Sequence, residues 1–380
     1  MELLFGIVLG LIILVLLVVV HELGHAIVAR RNGVVVEEFG IGFPPRAWGK
    51  KLKNGIEFTL NWLPLGGFVK LQGEYDSATG KGDYGAASYW VKTKILLAGV
   101  LINWLVAGVL LTILAWTGLP QVIPNQFSVP QDMSVQNKGD VSIAALIDDY
   151  PAARAGLKEG DIIETFAGKE VTTVEQLIAL THQYRGETVA VGYERNDKKQ
   201  TKQVTLRDSE QGTVFGAGLG QMQLARYTWS APIVGFGTTL QLTGMTLQGV
   251  GDIVVNLAQG LAGKVSLSDQ AQEAADKKLQ EVGNNVAGPV GILGVLFPSV
   301  QQAGIIQIVF FSALISLTLA VMNILPIPGL DGGRWYTMTI FRLLKKPLTK
   351  EREEVIQTVG VLLLLVIIVA VTVSDVTKLV

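Results

Sequence analysis

Residues 21–25 read His21, Glu22, Leu23, Gly24, His25, at the far end of an apolar run with no charged residue from Leu3 through Val20. On a helix, His21 and His25 lie four residues apart on one face, so both imidazoles can hold one metal ion with Glu22 beside them. A metal held there lowers the pKa of a bound water to about 7, and a neighbouring carboxylate can take the proton as that water attacks a carbonyl. The chemistry implied is peptide-bond hydrolysis. Two surface histidines and a solvated glutamate would be the bland reading, but ionisable groups inside an apolar span are costly and functional by default. The chain has three histidines, and two are here.

The apolar run from Leu3 to about Ala29 exceeds the ~20 helical residues that cross a ~30 Å hydrocarbon core. Eighteen steps of about 1.5 Å put His21 about 27 Å from Leu3, near the end closed by Arg30 and Arg31. At 380 residues, 49% hydrophobic and 17% charged, with mean hydropathy +0.42, the chain is too apolar for a soluble enzyme and too mixed for a plain helix bundle. The expected architecture is a polytopic α-helical membrane protein with four transmembrane helices, a membrane-associated β-hairpin or sheet and one inserted α+β domain. A net charge of −1 points to no nucleic-acid partner. The absence of cysteine excludes a disulfide, a thiolate zinc site and a cysteine nucleophile. The first segment (1–30) lacks a basic leader region and a small-residue cleavage site, so it reads as retained.

Residues 31–94 change character. Phe39, Ile41 and Phe43, then Ile56, Phe58, Leu60 and Trp62, alternate with other residues at period two, giving strands around a turn at Lys53, Asn54, Gly55. The stretch Pro64, Leu65, Gly66, Gly67, Phe68, Val69, Lys70 has backbone left approachable by its proline and glycines. Such an edge can capture an extended peptide by strand addition, with Gly66, Gly67, Phe68 and Val69 as the candidate contacts. A plain hairpin packing on the helices is the equal alternative on these residues alone. Residues 74–90 read as loop, and 95–118 as a second span holding Asn103, a polar side chain assigned to helix packing.

Residues 126–223 have the composition of a soluble domain. The run from Tyr150 to Ile163 packs a short helix, a glycine turn and a strand together, and its Ala155 to Asp161 segment resembles the protease-associated bacterial PDZ domain, a peptide-binding or gating module. Residues 230–300 are apolar but interrupted by glycines, threonines and glutamines, and are expected outside or along the membrane surface. Residues 305–333 form a third span that Pro326 and Pro328 must break before Asp331, and residues 355–375 form the fourth.

Residues 30–94 carry ten Lys and Arg against six acids, and residues 334–354 carry six against three, whereas 119–304 carry fourteen against nineteen. The first two are therefore expected on the cytoplasmic side and the third outside. This topology brings His21, His25 and Asp331 to one side of the bilayer. A catalytic zinc site takes three protein ligands and an open position. Asp331 is the best third ligand on chemistry, the alternative being a helix-end carboxylate solvated at the interface; His182 falls in the soluble insert.

With these residues in place, the chain resembles the site-2 protease family of zinc intramembrane proteases, in its bacterial branch with an external PDZ domain. The resemblance rests on His21 to His25, Pro64 to Lys70, Ala98 and Gly99 with Asn103, Gly288 to Ile292, and above all the run Asn323 to Gly333. It implies Zn²⁺ on His21, His25 and Asp331, Glu22 as general base, and Asn323 holding substrate backbone. It also implies single-pass membrane proteins as substrates, such as anti-sigma factors or remnant signal peptides, in a bacterial inner membrane. The lipid bilayer and a peptide or ectodomain at the PDZ-like domain are the other partners. Val100 departs from the family's usual proline, and Asp269 to Ala287 reads as an insertion. Two rivals stand beside this reading. A membrane metalloprotease of another class would need a downstream glutamate motif inside a span, and none is present; a non-catalytic PDZ adaptor would not need Glu22.

Overall fold

The computed structural model describes residues 2–195, 198–209, 213–264, 268–286 and 288–379, and the chain divides into two compact units, residues 1–114 with 230–380 and residues 115–229. Helix α1 (Glu2–Arg31) is uninterrupted because its apolar run contains no proline. It stops in a Schellman turn: Gly33 adopts φ +81°, its N–H donates to the Arg30 carbonyl, and the Val34 N–H donates to the Ala29 carbonyl.

Strands β1 (Val36–Lys51) and β2 (Glu57–Leu71) pair antiparallel, and each serves twice. Phe39 pairs with Phe58 on one side and Val69 on the other, while Thr59 pairs with Gly40 and Gly49. The segments therefore lie in the order 67–71, 36–41, 57–60, 46–51, which leaves 67–71 as an outer edge. Helix α2 (Tyr89–Thr117) starts six residues before the expected Ile95. Lys92, a charge in the added first turns, is buried and ion-paired with Asp76, which lets that stretch pack as helix.

The second unit follows. Strands β3 (Leu119–Pro120), β4 (Ser134–Leu146), β5 (Ile162–Phe166), β6 (Lys169–Glu170), β7 (Thr188–Arg195), β8 (Lys198–Thr205) and β9 (Ala217–Arg226) form one sheet with path β3-β9-β4-β5-β7-β8 and β6 beside β5. Helices α3 (Pro151–Arg154) and α4 (Val174–Gln183) accompany it, with Leu177 of α4 in the same core as Ile143, Ile163, Phe166 and Val191. The unit is longer than 126–223 at both ends because Leu119 pairs with Ala225 and Ser134 with Arg226. Asp161 is buried and takes hydrogen bonds from the Lys158 N–H and the Arg195 guanidinium. Burial pushes its carboxyl up, but the Arg195 bonds outweigh this and hold it below the usual carboxylate range. His182 is exposed in the last turn of α4.

The chain returns to the first unit with α5 (Ala231–Lys264), α6 (Asp269–Asn285), α7 (Pro289–Gly291), a π turn over Ile292–Leu296, α8 (Phe297–Gln302), α9 (Ile305–Ile324), α10 (Asp331–Leu343) and α11 (Lys350–Leu379). Helix α6 occupies most of the expected insertion, whose last residue, Ala287, lies outside the described residues. Buried Asp375 of α11 accepts from the N–H groups of Gly288 and Gly291, which gives an acid in an apolar helix its partners.

Among the described residues, four helices are long and apolar enough to cross a membrane: Leu3–Arg31, Tyr89–Thr117, Ile305–Ile324 and Lys350–Thr377. Leu4, Ile12 and Leu16 of α1 and Val359, Leu362 and Val366 of α11 are exposed. A surface of that kind is stable against acyl chains and a liability in water. Helix α5 is not among the four; its glycines, threonines and glutamines lower its apolar content.

Candidate active site

The site is built on α1, which presents His21 and His25 one turn apart toward α2. Both histidines are buried. The His25 Nδ1–H donates to the Ile95 carbonyl at 2.7 Å, which fixes its tautomer and leaves the Nε2 lone pair free. Gly99, one turn further along α2, faces both rings closely: a Cβ there would meet His25 Nε2 at 2.4 Å and His21 Nε2 at 2.6 Å. Asn103, a further turn along, is fully buried with its amide nitrogen 3.4 Å from His21 Nδ1. The polar residue assigned to packing thus also faces a histidine. Its signal was its spacing, because Ile95, Gly99 and Asn103 recur every four residues on one face of α2.

Asp331 opens α10, 310 residues from His21. Helix α9 ends at Ile324, and the proline-bearing segment 325–330 folds back against the start of α10. The two glycines after Asp331 permit that return. A Cβ on Gly332 would meet the Ile324 carbonyl oxygen at 2.2 Å, and one on Gly333 the Ile327 oxygen at 2.0 Å. Helix α11 holds the same segment, since Gln357 accepts from the Gly329 N–H at 2.7 Å. An ionic cluster not anticipated from sequence anchors α10 further: Arg334 pairs with Glu353 of α11 at 3.1 Å, and Glu353 also accepts from the Asp76 N–H. Arg334 lies over the buried ring of Tyr84 and donates to the Glu74 carbonyl, so the loop before α2 is tied to the helix that carries Asp331.

Asp331 Oδ2 lies 3.0 Å from His21 Nε2 and 3.2 Å from His25 Nε2, and the two nitrogens are 3.2 Å apart. Ligands about 2.0–2.1 Å from a tetrahedral ion are separated by about 3.3 Å, close to this triangle. Lone-pair nitrogens facing a carboxylate repel one another unless a cation stands between them, so the donor set fits zinc. Among the described residues, these three form the one such group able to hold a metal ion. Glu22 follows His21 on α1 and is near β2: a Cβ on Gly67 would meet Glu22 Cγ at 3.6 Å, and the Val69 backbone lies within hydrogen-bonding reach of its carboxylate, which also feels the charges of His21, His25 and Asp331. Asn323 sits one residue before the end of α9, partly exposed. Gly66, Gly67, Phe68 and Val69 lie on or beside the outer sheet edge.

Gly99→Ala tests the closeness of α2. A methyl group at 2.4 Å from His25 Nε2 cannot be accommodated without moving a donor atom. Zinc affinity, read by chelator competition, is expected to fall about tenfold or more. Unchanged affinity would mean that α2 stands further from the histidines.

A helix long and apolar enough to cross a membrane, carrying two histidines that meet a distant aspartate, is the arrangement a metalloprotease of the membrane interior requires. The family model described as Peptidase family M50 matches residues 9–367, and the chain belongs to that family; it is a zinc-dependent intramembrane endopeptidase. It is similar to the zinc metalloprotease RasP of Bacillus licheniformis, 26% identical and covering 96% of each chain. It is also similar to the regulator of sigma-W protease RasP of Bacillus subtilis, 25% identical and again covering 96% of each. The PDZ domain of an SdrC-like protein from Listeria monocytogenes is 28% identical over 22% of this chain and 90% of that chain, with a TM-score of 0.20.

Proposed function

We propose that this protease cuts a peptide bond in or beside the transmembrane segment of a single-pass membrane protein, using zinc held by His21, His25 and Asp331 and Glu22 as general base. The convergence of three donor atoms within 3.0–3.2 Å, beside a membrane-crossing helix end, carries this reading. Zinc, when bound, supplies Lewis-acid polarisation of the scissile carbonyl and acidifies water. The Glu22 carboxylate takes the proton of the attacking water and returns it to the departing amine.

A helix offers no free backbone to a protease, so the substrate must be extended before it is cut. The outer edge 67–71 can receive such a segment by strand pairing, with Gly66, Gly67, Phe68 and Val69 along it. Glu22 is next to Gly67, so a strand held there passes the general base. Asn323 would hold the substrate backbone from the α9 side: its amide makes no hydrogen bond to another described residue. The excess of Lys and Arg in residues 30–94 and 334–354 supports an active site toward the cytoplasm of a bacterial inner membrane, with residues 115–229 outside as a PDZ-like domain that screens ectodomains or binds a freed terminus. An anti-sigma factor is one substrate of the required form, in keeping with the printed name of the Bacillus subtilis relative.

Purified protein in detergent is expected to hold about one zinc per chain. It should cut a single-pass model substrate, lose cleavage to a chelator and regain it on zinc addition. Cleavage that survives complete removal of metal would sink the proposal.

A further inference from the structure

Asn103 is fully buried in a membrane-crossing helix, and its side-chain oxygen has no hydrogen-bond partner among the described residues. Its nitrogen faces His21 Nδ1 at 3.4 Å. With zinc held as proposed above, on which this inference rests, His21 Nε2 is a lone-pair donor and the proton of the neutral ring sits on Nδ1. An amide N–H cannot accept that proton, so the arrangement would set two donors face to face and strand an acceptor nearby. Turning the amide by 180° exchanges two atoms of nearly equal size, sets the carbonyl oxygen against the Nδ1–H, and gives each of those two groups its partner.

We infer that the Asn103 side-chain carbonyl accepts the His21 Nδ1–H, making Asn103 a positioning residue that fixes the tautomer and aim of one zinc ligand. His25 is served by the same helix, through the Ile95 carbonyl. One face of α2 thus supports both histidines, with Ile95 and Asn103 as acceptors and Gly99 giving the clearance between them. The backbone carbonyl of Asn103 is itself held, since the buried Ser316 hydroxyl of α9 donates to it at 2.9 Å. Helix α9 leads directly to the segment carrying Asp331, so Asn103 joins the two halves of the donor set.

Zinc affinity measured by chelator competition on the full-length protein tests this. Asn103→Leu keeps the shape and removes the acceptor, and should weaken zinc about 10- to 100-fold. Asn103→Asp keeps an acceptor and removes the donor, and should bind zinc no more weakly than wild type. An unchanged Asn103→Leu, or an Asn103→Asp as weak as Asn103→Leu, overturns the inference. If Asn103→Leu does not fold, Asn103→Asp decides alone, because a donating amide would lose its bond there and set two acceptors together. His21→Ala separates this from the site itself: zinc binding indifferent to His21 refutes the ligand assignment, whereas dependence on His21 without dependence on Asn103 refutes only the positioning role.

Discussion

Glu22→Gln is expected to stop cleavage while the protein keeps its zinc. The substitution preserves side-chain volume and leaves the donor triangle of His21, His25 and Asp331 intact, because Glu22 contributes none of its three donor atoms. An amide cannot take a proton from attacking water, and losing a positioned general base lowers turnover by about 10²- to 10⁴-fold. Cleavage of a transmembrane substrate and zinc content, measured on the same preparation, read the two effects separately. Near-normal turnover would assign proton transfer to another group. Loss of zinc would mean that Glu22 supports the metal centre.

Asp331→Asn should fail in the opposite manner, losing zinc and cleavage together. Its Oδ2 is within 3.2 Å of both imidazole nitrogens, so an amide there substitutes a neutral oxygen or a donating N–H for the one anionic ligand. The loss of zinc affinity should exceed the about 10- to 100-fold of an outer-shell change. The fold should survive, because α10 is held independently by Arg334, Glu353 and the tight contacts of Gly332 and Gly333. A folded Asp331→Asn protein with full zinc would remove Asp331 from the ligand set. Together the two variants separate the residue that moves a proton from the residue that holds the metal.

Much of this site is legible in one dimension. A helix repeats every 3.6 residues, so His21 and His25 share a face in any helix that forms, and the apolar run from Leu3 ensures that one does. Charge asymmetry between loops predicts which ends of the spans lie on the same side, and so brings Asp331 toward the histidines across 310 positions. The strands of residues 36–71 are also readable from their alternation, but their order is not. Pairing each strand twice puts 67–71 at the outer edge, and that arrangement depends on partners chosen in space.

The start of α2 illustrates the limit more directly. Lys92 argues against a buried helix until Asp76 is known to neutralise it, and Arg334 and Glu353 look like surface charges until they are found together around Tyr84. By itself, then, the sequence determined the membrane-crossing helices, the histidine pair with its glutamate, and the break after Ile324 that exposes Asp331, all properties of local period, hydropathy and proline geometry. Only the tertiary structure decided which face of α2 meets the histidines, why Gly99 must be small, and that the Asn103 side chain faces His21, because these are distances between elements far apart in the chain.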